Sequence, residues 1–310
     1  MIKNKKILPY FLTLFMVFIM IGSSLLLDNP EIIFPEIIAL TIGAWLAPNQ
    51  IWKTSPIKLV SLIMIYSTLG VILVKYIDVP LYLKIVSAFF MCSVGLLMSH
   101  TTFAPLICAC ILPILLETDT WIYPLSATLM AFIIVIVQRF LQVHHYQNYQ
   151  AYYPVTFNEK QDILLFIKRM IVIMIISGIA VYFKMNLLIA PPLLVTFIEM
   201  SGPHPHLRQK APIIFLMIII MSFISAYSRY FFAMKYHISL LYVVPIVTII
   251  LLVMIYCTQI FFPPLGALTI LPFIIDQEVL LLYPLYIAIG FVILTFFAFL
   301  ISIKRKKSSS

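Results

Sequence analysis

Phe262-Pro263-Pro264-Leu265-Gly266-Ala267-Leu268-Thr269-Ile270-Leu271-Pro272 is an apolar run opened by two prolines and closed by a third. Proline suits the first turn of a helix, where its missing N–H would have no partner, and disrupts the interior. The run therefore reads as a short helix entered through a proline elbow. It is shorter than the roughly 20 helical residues that a hydrocarbon core of about 30 Å takes, a length common in re-entrant pieces and half-helices. Phe103-Ala104-Pro105-Leu106, continuing to Ile111-Leu112-Pro113, has the same layout at an offset of 159 residues. Ile122-Tyr123-Pro124-Leu125 pairs with Leu282-Tyr283-Pro284-Leu285 at 160, Pro35 with Pro192 at 157, and Pro56-Ile57 with Pro212-Ile213 at 156. A slowly drifting offset over four anchors marks a duplication. A first membrane repeat covers 1–143, a polar linker 144–162, and a second membrane repeat 163–310.

Of the 310 residues, 63% are hydrophobic and 10% charged, against roughly 45–50% and about 25% in soluble domains. Such a chain cannot solvate an ordinary globular surface. That excludes a soluble enzyme, a secreted disulfide scaffold and a disordered chain. Eight runs are long enough to span: 8–27, 59–77, 81–98, 121–141, 163–183, 211–232, 238–257 and 279–303. Four shorter ones, 32–47, 103–116, 187–200 and 261–275, suit half-helices or re-entrant pieces. The fold class is thus an all-α, polytopic helical membrane protein. The N-terminal run following Lys3-Asn4-Lys5-Lys6 is too long for a typical signal h-region and reads as an uncleaved first helix.

The net charge of +9 is not gathered into one patch, so nucleic acid is not the expected partner; membrane lipids are. The basic residues sit in clusters between apolar runs, ending in Lys304-Arg305-Lys306-Lys307. If all twelve runs cross, 15 of the 20 Lys and Arg fall on one side; Lys75, Lys84, Lys184, Arg229 and Lys235 are the other five. If no short run crosses, the split is again 15 to 5, whereas an odd number of crossings per half degrades it. The positive-inside rule then gives two parallel repeats of four to six membrane segments each. The expected placement is multi-pass in the cell membrane, with both termini and the linker cytoplasmic.

Candidate site residues are few. A helix N-terminus carries free N–H groups and partial positive charge, which suits an anion. Pro263, Pro264, Leu265, Gly266 and Ala267 are therefore candidate substrate-binding residues, with Pro105 at the first elbow. Leucine at Gly266 should block such a site and alanine should be mild; Ile107, the counterpart of Gly266, is already bulky. The alternative is a packing kink, with Gly266 permitting close helix contact. Glu199, inside Val195-Thr196-Phe197-Ile198-Glu199-Met200, and Glu36, after Pro35, are candidate coupling groups for a proton or cation. Their alternative is an interfacial position with the carboxylate reaching into water. Arg139 and Arg229 lie at span ends and read as interfacial anchors, as Lys168-Arg169 does on the cytoplasmic side. Cys108-x-Cys110 lacks further ligands, and His204-Pro205-His206 reads as a loop, so no metal or cofactor is expected. No nucleophile elbow, P-loop or zincin motif points to catalytic residues.

Leu188-Ile189-Ala190-Pro191-Pro192, then Ser201-Gly202-Pro203 to Arg208, then Phe262-Pro263-Pro264-Leu265-Gly266-Ala267-Leu268 resembles the HPP family of integral membrane proteins. Members of that family carry an early Ile-Ala-Pro element, a polar proline-containing loop and a His-Pro-Pro-x-Gly-Ala signature. The resemblance implies two fused domains of four transmembrane helices. Phe262 stands where the family has histidine, and the first copy reads Phe103-Ala104-Pro105, so only the Pro-Pro elbow and the Gly266-Ala267 pair carry over. Some plant plastid members are associated with nitrite transport, which implies an inorganic anion. The leading expectation is a permease for a small solute, with its path between the repeats. The rivals are a non-transporting membrane scaffold or assembly protein, and a membrane-embedded enzyme acting on lipid.

Overall fold

The computed structural model describes residues 7–147, 154–155, 159–202 and 205–302. Its principal helices are α1 Leu8–Leu26, α2 Glu36–Thr41, α3 Pro56–Lys75, α4 Leu81–Met98, α5 Pro105–Leu115 and α6 Ile122–Val143 in the first half. The second half has α7 Glu159–Tyr182, α8 Pro191–Ser201, α9 Ala211–Ser228, α10 Leu240–Thr258, α11 Pro263–Ile270 and α12 Tyr283–Ile301. A π-helical turn, Ile42–Leu46, prolongs α2, and another, Arg229–Lys235, prolongs α9. The eight long helices, α1, α3, α4, α6, α7, α9, α10 and α12, are each long and apolar enough to cross a membrane. The chain is a polytopic helical membrane protein.

Local sequence explains the boundaries. Proline stands in the first turn of α1, α3, α5, α8, α9, α11 and α12, where it lacks only a donor that would be idle. Helix ends that need a left-handed residue use Asp28, His100, Glu117, His145, Lys184, His237 and Gln259, never glycine. Three helix starts differ from the sequence reading by three or four residues, one being α12, which begins at Tyr283 after a separate short helix, Gln277–Leu280. Helix α3 begins at Pro56 because the Ser55 hydroxyl caps it, accepting from the Lys58 N–H at 3.3 Å. Helix α7 begins at Glu159, within the expected linker, since an acidic first turn suits the positive end of a helix.

Paired ends fix the directions. The end of α2, the start of α3 and a late residue of α6 meet around one recess, so α3 opposes both α2 and α6. Lys58, early in α3, donates to the Ser99 carbonyl just after α4 (3.0 Å), making those two antiparallel. Gly70, late in α3, lies against Cys110 and Pro113 of α5, so α3 and α5 run together. In the second half, Arg169 in the first part of α7 reaches Ile198 and Ser201 at the end of α8. Gly290 meets Leu188 and Thr295 meets Met200, so α12 runs with α8. Helix α3 therefore runs with α5 and against α2, α4 and α6, while α8 runs with α12 and against α7. The face where α3 and α5 begin is called the near face below.

Packing recurs between the halves. Helix α3 packs on α4, α5 and α6, as α9 does on α10, α11 and α12. Across the halves, α1 meets α10 as α7 meets α4, and α2 meets α11 as α8 meets α5. Contacts of α2 with α5 and of α8 with α11 close a ring of the four short helices, every residue of α2, α8 and α11 being buried. One detail repeats atom for atom. The Tyr123 hydroxyl donates to the Ala109 carbonyl at 3.2 Å, and the Tyr283 hydroxyl to the Leu268 carbonyl at 2.6 Å.

Candidate functional site

The second elbow is formed as the prolines dictate, but it faces protein. All of Pro263–Ile270 is buried. A β-carbon on Gly266 would stand 2.7 Å from Ile38 Cγ2 and 3.0 Å from the Ala39 backbone nitrogen. Glycine is there so that α11 can cross the backbone of α2. The Leu265 N–H, one of the donors expected to face an anion, is given to the Phe262 carbonyl at 3.1 Å. Pro105 and Ile107 at the first elbow are equally buried. Alanine at Gly266 is therefore not mild, because a methyl group already meets α2.

The two carboxylates behave differently from the elbow. Glu36 opens α2 and is 1% exposed; Glu199 lies near the end of α8 and is 8% exposed. Both are enclosed by protein, which removes the alternative of a carboxylate reaching into water. Both sit in the ring of short helices, where the halves meet. Neither Glu36 oxygen has a hydrogen-bond partner, and Glu199 Oε2 has none either. Glu199 Oε1 accepts from Trp52 Nε1 at 3.0 Å. Cys108 on α5 stands within electrostatic reach of both carboxylates, and Tyr123 within reach of Glu36. Trp52, Glu199, Cys108, Glu36 and Tyr123 thus form one neighbourhood of polar groups in the ring. Burying a carboxylate without a cation is costly, so its retention at the centre points to use.

Trp52 belongs to the loop between α2 and α3. Its ring lies on Gly43, whose missing side chain makes the room: a β-carbon there would be 2.2 Å from the indole. Phe103, which precedes α5, meets the ring edge-on at 5.3 Å. The indole also walls a recess lined by Gly43, Ala44, Thr54, Ser55, Leu59 and Gln138. The recess is at the near face, beside the exposed start of α3.

Neither a family model, a curated protein nor a solved structure matches the chain. The site has to be read from its own geometry.

Cations hold the ends of the short helices instead of the carboxylates. Arg169 donates to the Ser201 hydroxyl (2.9 Å) and the Ile198 carbonyl (2.8 Å), and Arg208 to the carbonyls of Met200 (3.0 Å) and Gly202 (2.8 Å). Arg229 binds the carbonyls of Pro272 and Ile275 beyond α11. Positive charge at a helix C-terminus satisfies idle carbonyls and the negative end of the dipole. Arg169 and Arg229 are therefore helix caps rather than the anchors expected from the sequence. At the corresponding end of α2 the same task falls to amides, with Gln147 and Gln138 donating to the Ala44 carbonyl at 2.6 and 3.4 Å.

No three His, Cys, Asp or Glu side chains converge as metal ligands among the described residues. His204, one of the weak metal candidates, lies outside those residues, as do residues 148–153 and 156–158 of the linker. Trp52 and Cys108 as neighbours of the carboxylates were not foreseeable from the sequence. Trp52 sits in an irregular loop and Cys108 in an apolar run, and only tertiary packing unites them.

Proposed function

We propose that the chain is a permease for a small solute, with its path along the contact between two parallel repeats and with Glu36 and Glu199 as its proton-carrying groups. The observation that carries this reading is the pair of buried carboxylates in the ring where the halves meet, three of their four oxygens without a hydrogen-bond partner among the described residues. An inorganic anion such as nitrite, which the HPP resemblance implies, is the first solute to try. A proton on either carboxyl removes a charge that would repel an anion, so proton and anion would move together. The elbow at Pro263-Pro264-Leu265-Gly266-Ala267 supports the crossing of α11 on α2 in this scheme; it does not seat the solute.

The expected location is the cell membrane, near face inward. Lys53, Lys58, Arg139, Lys160, Lys168, Arg208 and Lys210 fall on the near face. Asp28, Glu31, Asp78, Glu117, Asp119, Asp276 and Glu278 fall in far-face connections. The linker and both termini would then be cytoplasmic, although residues 1–6 and 303–310 lie outside the described structure.

Uptake of nitrite, with formate, chloride and a neutral amino acid beside it, into proteoliposomes carrying an inward proton gradient tests the reading. Saturable uptake of at least one solute, collapsed by a protonophore, is expected. No uptake above protein-free vesicles for any solute would favour a membrane scaffold instead.

A further inference from the structure

We propose that Trp52 is the near-face gate to Glu199, and that moving its indole off Gly43 admits water and hence a proton to the buried carboxylate. The proposal deepens the permease reading by naming the side from which the carboxyl is loaded and the side chain that controls it.

Three observations place the gate. Trp52 stands between the recess and Glu199: one part of the ring walls the recess, and Nε1 donates to Glu199 Oε1. Its seat is a glycine. Gly43 lies in the π-helical turn that prolongs α2, an irregularity common at functional positions. Finally, the ring is carried by the irregular loop of residues 47–55, so it can shift without unwinding a spanning helix. The loop is held to the segment before α5 by two hydrogen bonds, Lys53 N–H to the Thr102 hydroxyl at 2.9 Å and Thr102 N–H to the Lys53 carbonyl at 3.4 Å. A shift at the loop is thereby linked to the approach to α5, which carries Cys108.

With the indole in place, Oε1 is occupied and the ring shuts off the recess. With the indole displaced, the Nε1–H···Oε1 bond breaks and water from the recess reaches the carboxyl. A hydronium then gives up one O–H proton, a new O–H bond forms on the carboxylate, and neutral water is left. Discharge of that proton toward Glu36 belongs to the other side of the cycle.

The native thiols report on this without measuring transport. Cys108 is 2% exposed beside both carboxylates; Cys92 and Cys110 are fully buried; Cys257 is exposed. Full-length protein in membrane vesicles is treated with 2-sulfonatoethyl methanethiosulfonate, a charged thiol reagent, and each cysteine is scored by mass spectrometry. In the unaltered protein only Cys257 should react readily. In Trp52→Ala, Cys108 should react at least tenfold faster, with Cys92 and Cys110 unchanged. Gly43→Ala, which pushes the ring off its seat, should act in the same direction, so the test survives misfolding of either variant. Trp52→Phe keeps a plug and should leave Cys108 protected. An unchanged Cys108 rate in the folded variants would overturn the gate, as would an equal rise at Cys92 and Cys110, which is general loosening. Because the label reads access, a failed uptake experiment would sink the permease reading and leave this result standing, and the reverse also holds.

Discussion

Glu36→Met is expected to make the protein more stable and to abolish its proton flux. Glu36 is buried with both oxygens unpartnered, and an unsatisfied buried polar group costs about 1–3 kcal/mol, more when charged. Methionine matches the length, has no oxygen and adapts to irregular space. Thermal unfolding of the purified variant, followed by loss of monodispersity, should shift upward by a few degrees. The same logic applies less strongly to Glu199, whose Oε1 bond to Trp52 offsets part of the cost. Natural chains keep such a group where function uses it and stability suffers. A downward shift in Glu36→Met would mean that the carboxyl organises α2 structurally, through Cys108 and Tyr123, and the functional account would lose its main support.

Gly266→Leu is expected to have the largest structural effect. A β-carbon alone would already press on Ile38 and the Ala39 backbone, and leucine adds three further carbons. Helices α11 and α2 would have to separate, opening the ring in which both carboxylates lie. Overpacking by a methylene or two costs about 1–3 kcal/mol when the surroundings can shift. Here the neighbour is backbone, so little monodisperse protein should be recovered. Gly266→Ala should fold with a lowered midpoint. Gly70 makes the same prediction, its β-carbon falling 2.2 Å from the Cys110 carbonyl oxygen. Gly178 is the control, since its nearest neighbour is the Tyr82 ring at 3.5 Å, and leucine there should be tolerated. Normal yield of Gly266→Leu would contradict the close crossing of α11 on α2.

Most of the architecture was legible before any coordinates. Eight spans followed from run length, and three of the short helices from prolines that suit a first turn. The periodic offsets then aligned the halves. The relative directions of the short helices were not legible, because charge sorting is symmetric between four and six crossings; paired ends such as Arg169 with Ser201 show them. The site was legible in part. Glu36 and Glu199 stood out as acids in apolar runs, yet their depth could not be read from segments too short to fix it. Gly266 was ambiguous for a physical reason: a bare backbone serves a ligand and a crossing helix equally well. Arg169 and Arg229 looked like anchors because a sequence does not show which carbonyls a long side chain can reach.

The measurement that bears most directly on the account is proton entry into proteoliposomes, read with an internal pH dye under a potential set by potassium and valinomycin. It would compare the unaltered protein with Glu36→Gln and Glu199→Gln, each verified as monodisperse, with nitrite and the other trial solutes present in turn. The account predicts solute-dependent proton entry in the unaltered protein and at least a tenfold loss in both variants. Proton entry that is unchanged in both glutamine variants would contradict it.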